Sequence, residues 1–136
     1  MGDLTKNFSR HEFACNCGCG ADNISIGLVS KLQRIRDSVG LPMKITSGVR
    51  CEAHNATIGG VKKSAHVPAN MHDGEGVVGH AVDIACSDSI LRYKLIKHGS
   101  QNFSRVGIGK SFIHLDTDIS KPQTVAWDYY DKDHKA

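Results

Sequence analysis

A chain of 136 residues suits one domain built around one hydrophobic core. With 40% hydrophobic and 23% charged residues it has the composition of a folded protein, which excludes wholesale disorder. The net charge of +3 comes with no Lys/Arg-rich block and no basic stripe interleaved with aromatics, so no nucleic-acid partner is expected. Met1 to Arg10 is polar and lacks the apolar core of a signal peptide, and no run reaches the roughly 18 apolar residues that cross a bilayer. Synthesis in the cytoplasm without membrane insertion is expected.

Residues 1–20 form an irregular opening segment rich in glycine and cysteine. Three of the five cysteines crowd into Cys15-Asn16-Cys17-Gly18-Cys19, and the others are Cys51 and Cys86. An odd, crowded set argues against a secreted disulfide framework. Three readings stay open for Cys15, Cys17, Cys19 and Cys51: a structural zinc, one disulfide to Cys51, or reduced packing thiols. From Ser25 the pattern turns helical, with Leu28, Leu32, Ile35 and Val39 recurring at four- and three-residue steps until Gly40 and Pro42 stop it. Met43 to Ser47 reads as a short strand, and residues 51–58 as a helical turn ended by Gly59-Gly60.

Residues 67–79 read as a long surface loop, a length that in compact domains tends to serve function. Ala81 to Ala85 is the next strand, with Val82 and Ile84 on one face and Asp83 on the other. Ser87 or Ser89 is expected to cap a helix reaching about His98, with Ile90, Leu91, Leu95 and Ile96 turned inward. Arg105 to Ile108 and Phe112 to Thr117 form a predicted hairpin about Gly109-Lys110-Ser111. Val125 to Tyr130 is a last aromatic-rich extended piece, and the tail from Asp131 to Ala136 is expected to fray. No repeat or linker interrupts this order, which predicts a single α+β domain over 1–136, a small antiparallel sheet flanked by helices.

Three positions place a metal-capable side chain on or beside a predicted strand. Asp83 lies in the apolar run Ala81 to Ile84, where a lone carboxylate is costly to bury unless something neutralises it. His114 sits in Phe112-Ile113-His114-Leu115-Asp116, and His66 comes in Ser64-Ala65-His66 just before the loop. Two imidazoles and one carboxylate with an open fourth position are the donor set of a catalytic zinc ion. Hydrogen-bonded structural histidines and an Asp83–Arg50 pair are the competing reading of the same residues.

The ordered set Ile45-Thr46-Ser47-Gly48-Val49-Arg50, His54-Asn55, Gly59-Gly60, Ser64-x-His66, Gly79-x-Ala81-x-Asp83 and Ile113-His114-x-Asp116 resembles the zinc D-alanyl-D-alanine carboxypeptidase family. That family includes phage and bacterial cell-wall peptidases and shares its fold with lysostaphin-type endopeptidases and the hedgehog signalling domain. Asn7-Phe8-Ser9-Arg10-His11-Glu12-Phe13 and Val125-Ala126-Trp127 look like its small phage-associated branch. The resemblance implies a zinc peptidase acting on peptidoglycan stem or cross-link peptides, with Zn2+ on His66, Asp83 and His114. It implies that Arg50 binds substrate carboxylate or steadies an oxyanion, as a guanidinium fork does. A monomeric phage-type lysin, delivered to the wall by a holin or a virion, fits this reading. An L-alanyl-D-glutamate endopeptidase and a non-catalytic wall- or protein-binding module are the alternatives.

Two departures from the family pattern stand out. The family spaces its first histidine seven residues before the aspartate, whereas His66 and Asp83 are seventeen apart, with the extra residues inside an insertion over 67–78. His72, within that insertion, is the rival ligand but lacks the Ser-x-His context. Many relatives also carry an acidic general base three residues before the last histidine, where this chain has Ser111. Asp116 is the substitute, since residues two apart on a strand share a face. It could take a proton as base or orient His114, and Glu75, Asp73 or His72 could reach in from the insertion. His80, His54, His11, His98 and His134 are read as structural or surface residues.

Overall fold

The spacing of Leu28, Leu32, Ile35 and Val39 produces helix α1 (Ile26–Val39), and all four side chains are buried. Ser25 Oγ accepts the N–H of Leu28 at 3.1 Å to begin it, and Gly40, left-handed at φ 70°, ends it by donating its N–H to Arg36 O. This computed structural model describes residues 2–71 and 74–130. His72, Asp73, His134 and the tail expected to fray lie outside the described residues. After α1 come β1 (Ile45–Ser47), α2 (Glu52–Thr57), β2 (Ala69–Asn70), β3 (Val77–Val78) and β4 (Ala81–Ala85). Then follow α3 (Ser89–Asn102), β5 (Arg105–Ile108), β6 (Phe112–Asp116) and β7 (Val125–Asp128).

The expected α+β architecture is present. Five strands form one sheet in the order β1-β4-β6-β5-β7, antiparallel except for the β5–β7 pair. The exception follows from connectivity. The chain reverses after β6 and so runs parallel to β5, and β4 already occupies the other edge of β6. One face of the sheet carries Val82, Leu115 and Val106 in one register row and Ile84, Ile113 and Ile108 in the next. This face packs toward the helices: a Cβ on Gly99 of α3 would come 2.9 Å from Leu115 Cδ2, so glycine there permits close approach. The other face carries Ser47, Asp83, His114, Gly107 and Trp127 in one row. Two residues along, Ala81, Asp116, Arg105 and Val125 make the next. The chemistry of the molecule lies along these two rows.

Three local expectations are corrected. Asp88, not Ser87 or Ser89, caps α3, its two carboxylate oxygens each accepting at 3.2 Å from the N–H groups of Ile90 and Leu91, and the helix runs on to Asn102. Ile90 is 64% exposed rather than turned inward. It precedes buried Leu95 by five residues, which puts it about 140° away around the helix. The stretch 67–79 is not a plain loop, because its ends pair as the two-stranded β2–β3 ribbon. Among the described residues no helix is long and apolar enough to cross a membrane.

Candidate metal centre

Register brings the first two site residues together. Asp83 on β4 and His114 on β6 are direct cross-strand partners, and Asp83 Oδ1 lies 2.9 Å from His114 Nδ1. The other ring nitrogen, Nε2, is 2.7 Å from Asp116 Oδ2. Each ring nitrogen thus faces a carboxylate oxygen, which can only accept, and the shorter contact holds Nε2 on Asp116 and leaves Nδ1 as the nitrogen turned toward Asp83.

His66 arrives by a different route. Its ring is fully buried, with Nδ1 2.7 Å from the Gly48 carbonyl and Nε2 3.3 Å from Asp83 Oδ1. The seventeen-residue spacing does not separate the two, because the insertion closes on itself at its base. His80 N–H donates to Ala65 O at 2.9 Å, β2 pairs with β3, and Gly79 is fixed to Asn23 and Ser25. Glu75 accepts from Ser25 Oγ at 2.6 Å and from the N–H groups of Ile26 and Gly27 at the start of α1. There its charge complements the positive end of the helix, so it is not placed as a proton acceptor beside Asp83.

Arg50 follows β1 and is 2% exposed. Its N–H donates to His66 O at 2.9 Å, and its guanidinium donates to Asn55 Oδ1 at 2.9 Å, Ser47 Oγ at 3.2 Å and Asp83 Oδ2 at 3.5 Å. A Cβ on Gly60 would sit 2.0 Å from Asn55 Oδ1, so the Gly59-Gly60 pair is what lets Asn55 reach the arginine. Burial lowers the pKa of Arg50 and the neighbouring Asp83 charge opposes that shift.

Asp116 does share a face with His114, as its spacing predicts, but both of its oxygens are engaged. Oδ2 holds His114, while Oδ1 accepts from Arg105 Nε at 2.8 Å and from the Asp118 N–H at 3.0 Å. Arg105 in turn stacks over Trp127, 4.7 Å from the ring centroid. The Trp127 and Tyr129 rings lie 5.6 and 6.5 Å from the His114 ring. They fit there because residue 107 is glycine; a Cβ would come 2.9 Å from Tyr129 and 3.0 Å from Trp127.

Sequence reasoning did not single out Arg105, Asn55, Tyr129 or the Gly48 carbonyl as parts of a site. The one readable signal was an arginine opening an apolar strand opposite Asp116. Ser111, at the position where relatives carry an acid, is exposed in the β5–β6 turn, with its carbonyl accepting from Cys86 N–H. His80 is buried and pairs with Thr117 Oγ1 through Nδ1 at 3.3 Å, His54 and His98 are half-buried, and His11 is exposed.

The electrostatics test whether a cation fits. Burial pushes the His66 imidazole down, toward its neutral form. Burial alone would raise Asp83, but His66 and His114 outweigh it and hold the carboxyl well below the usual range. His114 is pushed down by burial and pulled up more strongly by its bonds to Asp116 and Asp83. His66 spends its one proton on the Gly48 carbonyl, so its bare Nε2 faces an ionised oxygen at 3.3 Å. Two acceptors in contact inside a protein repel unless a cation lies against both. The candidate ligand atoms of His66, Asp83 and His114 all lie within 4.8 Å of one another, a nitrogen and oxygen set that suits zinc.

No curated protein shows significant sequence similarity to the chain. The family model described as Peptidase M15 matches residues 6–116, a span that holds Arg50, His66, Asp83, His114 and Asp116. The chain therefore belongs to the peptidase M15 family, whose members are zinc-dependent metallopeptidases.

Proposed function

We propose that the chain is a zinc peptidase that hydrolyses peptide bonds in the stems or cross-links of peptidoglycan, of the D-alanyl-D-alanine carboxypeptidase or endopeptidase type. The observation that carries this reading is the acceptor-on-acceptor contact between His66 Nε2 and Asp83 Oδ1, which a cation resolves. His66, Asp83 and His114 would hold the ion. The chemistry that zinc supplies when bound is Lewis-acid activation of water and of the scissile carbonyl.

The remaining steps belong to the protein's own residues. Arg50, buried beside Asp83, offers a fixed positive charge to a substrate carboxylate or to the oxyanion that develops on the carbonyl. Burial raises the Tyr129 phenol well above its usual value, so it stays protonated beside His114. Asp116, buried and held by His114, Arg105 and the Asp118 N–H, positions His114 instead of serving as the base. The setting we propose is a phage-type lysin reaching the cell wall.

Digestion of purified peptidoglycan of several wall types, with the products weighed by mass spectrometry, tests this reading. New amino groups released by the wild type but not by His114→Ala are expected, and the masses name the bond, including an L-alanyl-D-glutamate bond. A zinc-loaded wild type that releases nothing from any wall type would favour the second reading, a metal-stabilised binding module. The engagement of Asp116 is what keeps that reading in view.

A further inference from the structure

Away from the His66–Asp83–His114 cluster, the opening segment and the start of α2 bring four sulfurs together. Cys15 Sγ lies 3.4 Å from Cys17 Sγ and 3.9 Å from Cys51 Sγ, and Cys17 Sγ lies 3.7 Å from Cys51 Sγ. Cys19 completes the group, with all four sulfurs within 4.8 Å of one another. We propose that Cys15, Cys17, Cys19 and Cys51 form a second, tetrathiolate metal site that holds a structural zinc ion.

The distances separate the three readings that the sequence leaves open. A disulfide brings its sulfurs to about 2.0 Å, far shorter than any pair here. Tetrahedral zinc with bonds of about 2.3 Å sets its sulfurs about 3.8 Å apart, which the observed 3.4, 3.7 and 3.9 Å bracket. Packing thiols are buried, as Cys86 is at 3% exposure, whereas Cys17 and Cys19 are exposed. Burial in an apolar core does not explain two exposed thiols gathered about the same point.

The backbone is shaped for the same purpose. Gly18 and Gly20 take positive φ of 82° and 88°, and Cys15 N–H closes the loop on Ala21 O at 2.7 Å, curling three alternate cysteines inward. The N–H of Cys51 points at Cys15 Sγ at 3.4 Å and that of His54 at Cys51 Sγ at 3.3 Å, contacts that favour thiolates.

Four thiolates leave no open position, so this ion is structural. Its place gives it a task. Val49 N–H donates to Phe13 O at 2.8 Å, Asn16 Nδ2 to Thr46 O at 2.9 Å, and a Cβ on Gly48 would strike the Phe13 backbone at 2.7 Å. The cluster therefore fastens the opening segment to the strand end that carries Arg50 and the Gly48 carbonyl.

Metal analysis of the full chain, purified reduced and without a metal-binding tag, decides the matter. Close to two zinc ions per chain are expected for the wild type and close to one for His114→Ala. Cys17→Ser/Cys19→Ser is expected to keep close to one, held at His66 and His114, and Cys86→Ser to keep both. Cobalt loaded in place of zinc should give an intense sulfur-to-cobalt charge-transfer band that survives His114→Ala. That spectrum on the wild type needs no cysteine variant to fold, and it stands even if the peptidase reading fails. A wild type without the band and with all four thiols freely alkylated overturns the site. A disulfide among them, or iron in place of zinc, overturns the assignment as well.

Discussion

Nε2 of His114 donates to Asp116 Oδ2 at 2.7 Å, and that one bond decides which ring nitrogen remains to face Asp83. Replacing the carboxylate tests what it does. Asp116→Asn should weaken zinc binding by about 10–100-fold, with activity restored by added zinc. Competition with a chromogenic chelator measures this directly. Full zinc affinity with lost turnover would instead make Asp116 the base.

Glu75 is expected to matter for stability and not for metal. It accepts from Ser25 Oγ and the first backbone N–H groups of α1. Glu75→Ala should cost about 1 kcal/mol in urea unfolding, the usual worth of an N-terminal cap, while zinc content stays at the wild-type value. Loss of zinc in this variant would return Glu75 to the site.

Gly107 holds open the space that the Trp127 and Tyr129 rings fill beside His114. Gly107→Ala should lower stability by about 1–3 kcal/mol through overpacking. Trp127 is the only tryptophan in the chain, so a shift in its emission would report the displaced ring. An unchanged spectrum and melting curve would show that the rings do not depend on this glycine.

Acid should unfold the metal-free protein through its buried aspartates. Asp116 and Asp118 are raised by burial but lowered further by their partners, His114 for the first, Ser120 and Lys121 for the second. Both sit below the ordinary 3.8 when folded, so their contribution is complete above that value and is lost as pH falls through the folded pKa. His66, lowered, loses stability as pH falls below 6.5, whereas His114, raised, gives its full contribution there, so the two act in opposite directions. The aspartates should lower the urea midpoint below about pH 4, less steeply in Asp118→Asn. An equally steep fall in that variant would acquit Asp118.

The elements with strong periodicity were legible: α1 from its apolar stripe, β4 and β6 from alternation around Asp83 and His114. Less local features were not. Nothing within Val125 to Tyr130 says that its partner is β5 or that the pairing is parallel. The Asp83–His114 contact follows from register, which alternation permits but does not choose. The placement of Asp116 beside His114 was readable from spacing; the engagement of its other oxygen by Arg105 depends on a strand eleven residues earlier. Asp88 prevailed over two serines as the cap of α3 because both its oxygens reach a backbone N–H.

The contact between Ala65 and His80 has a meaning for descent as well as for chemistry. A stretch whose two ends already touch is a graft: the scaffold on either side closes as though it were not there. Apart from Glu75, which caps α1, its tip can change in length and composition with little effect on how His66 meets Asp83. Selection can rewrite the outer rim of such an enzyme while its inner chemistry stays still.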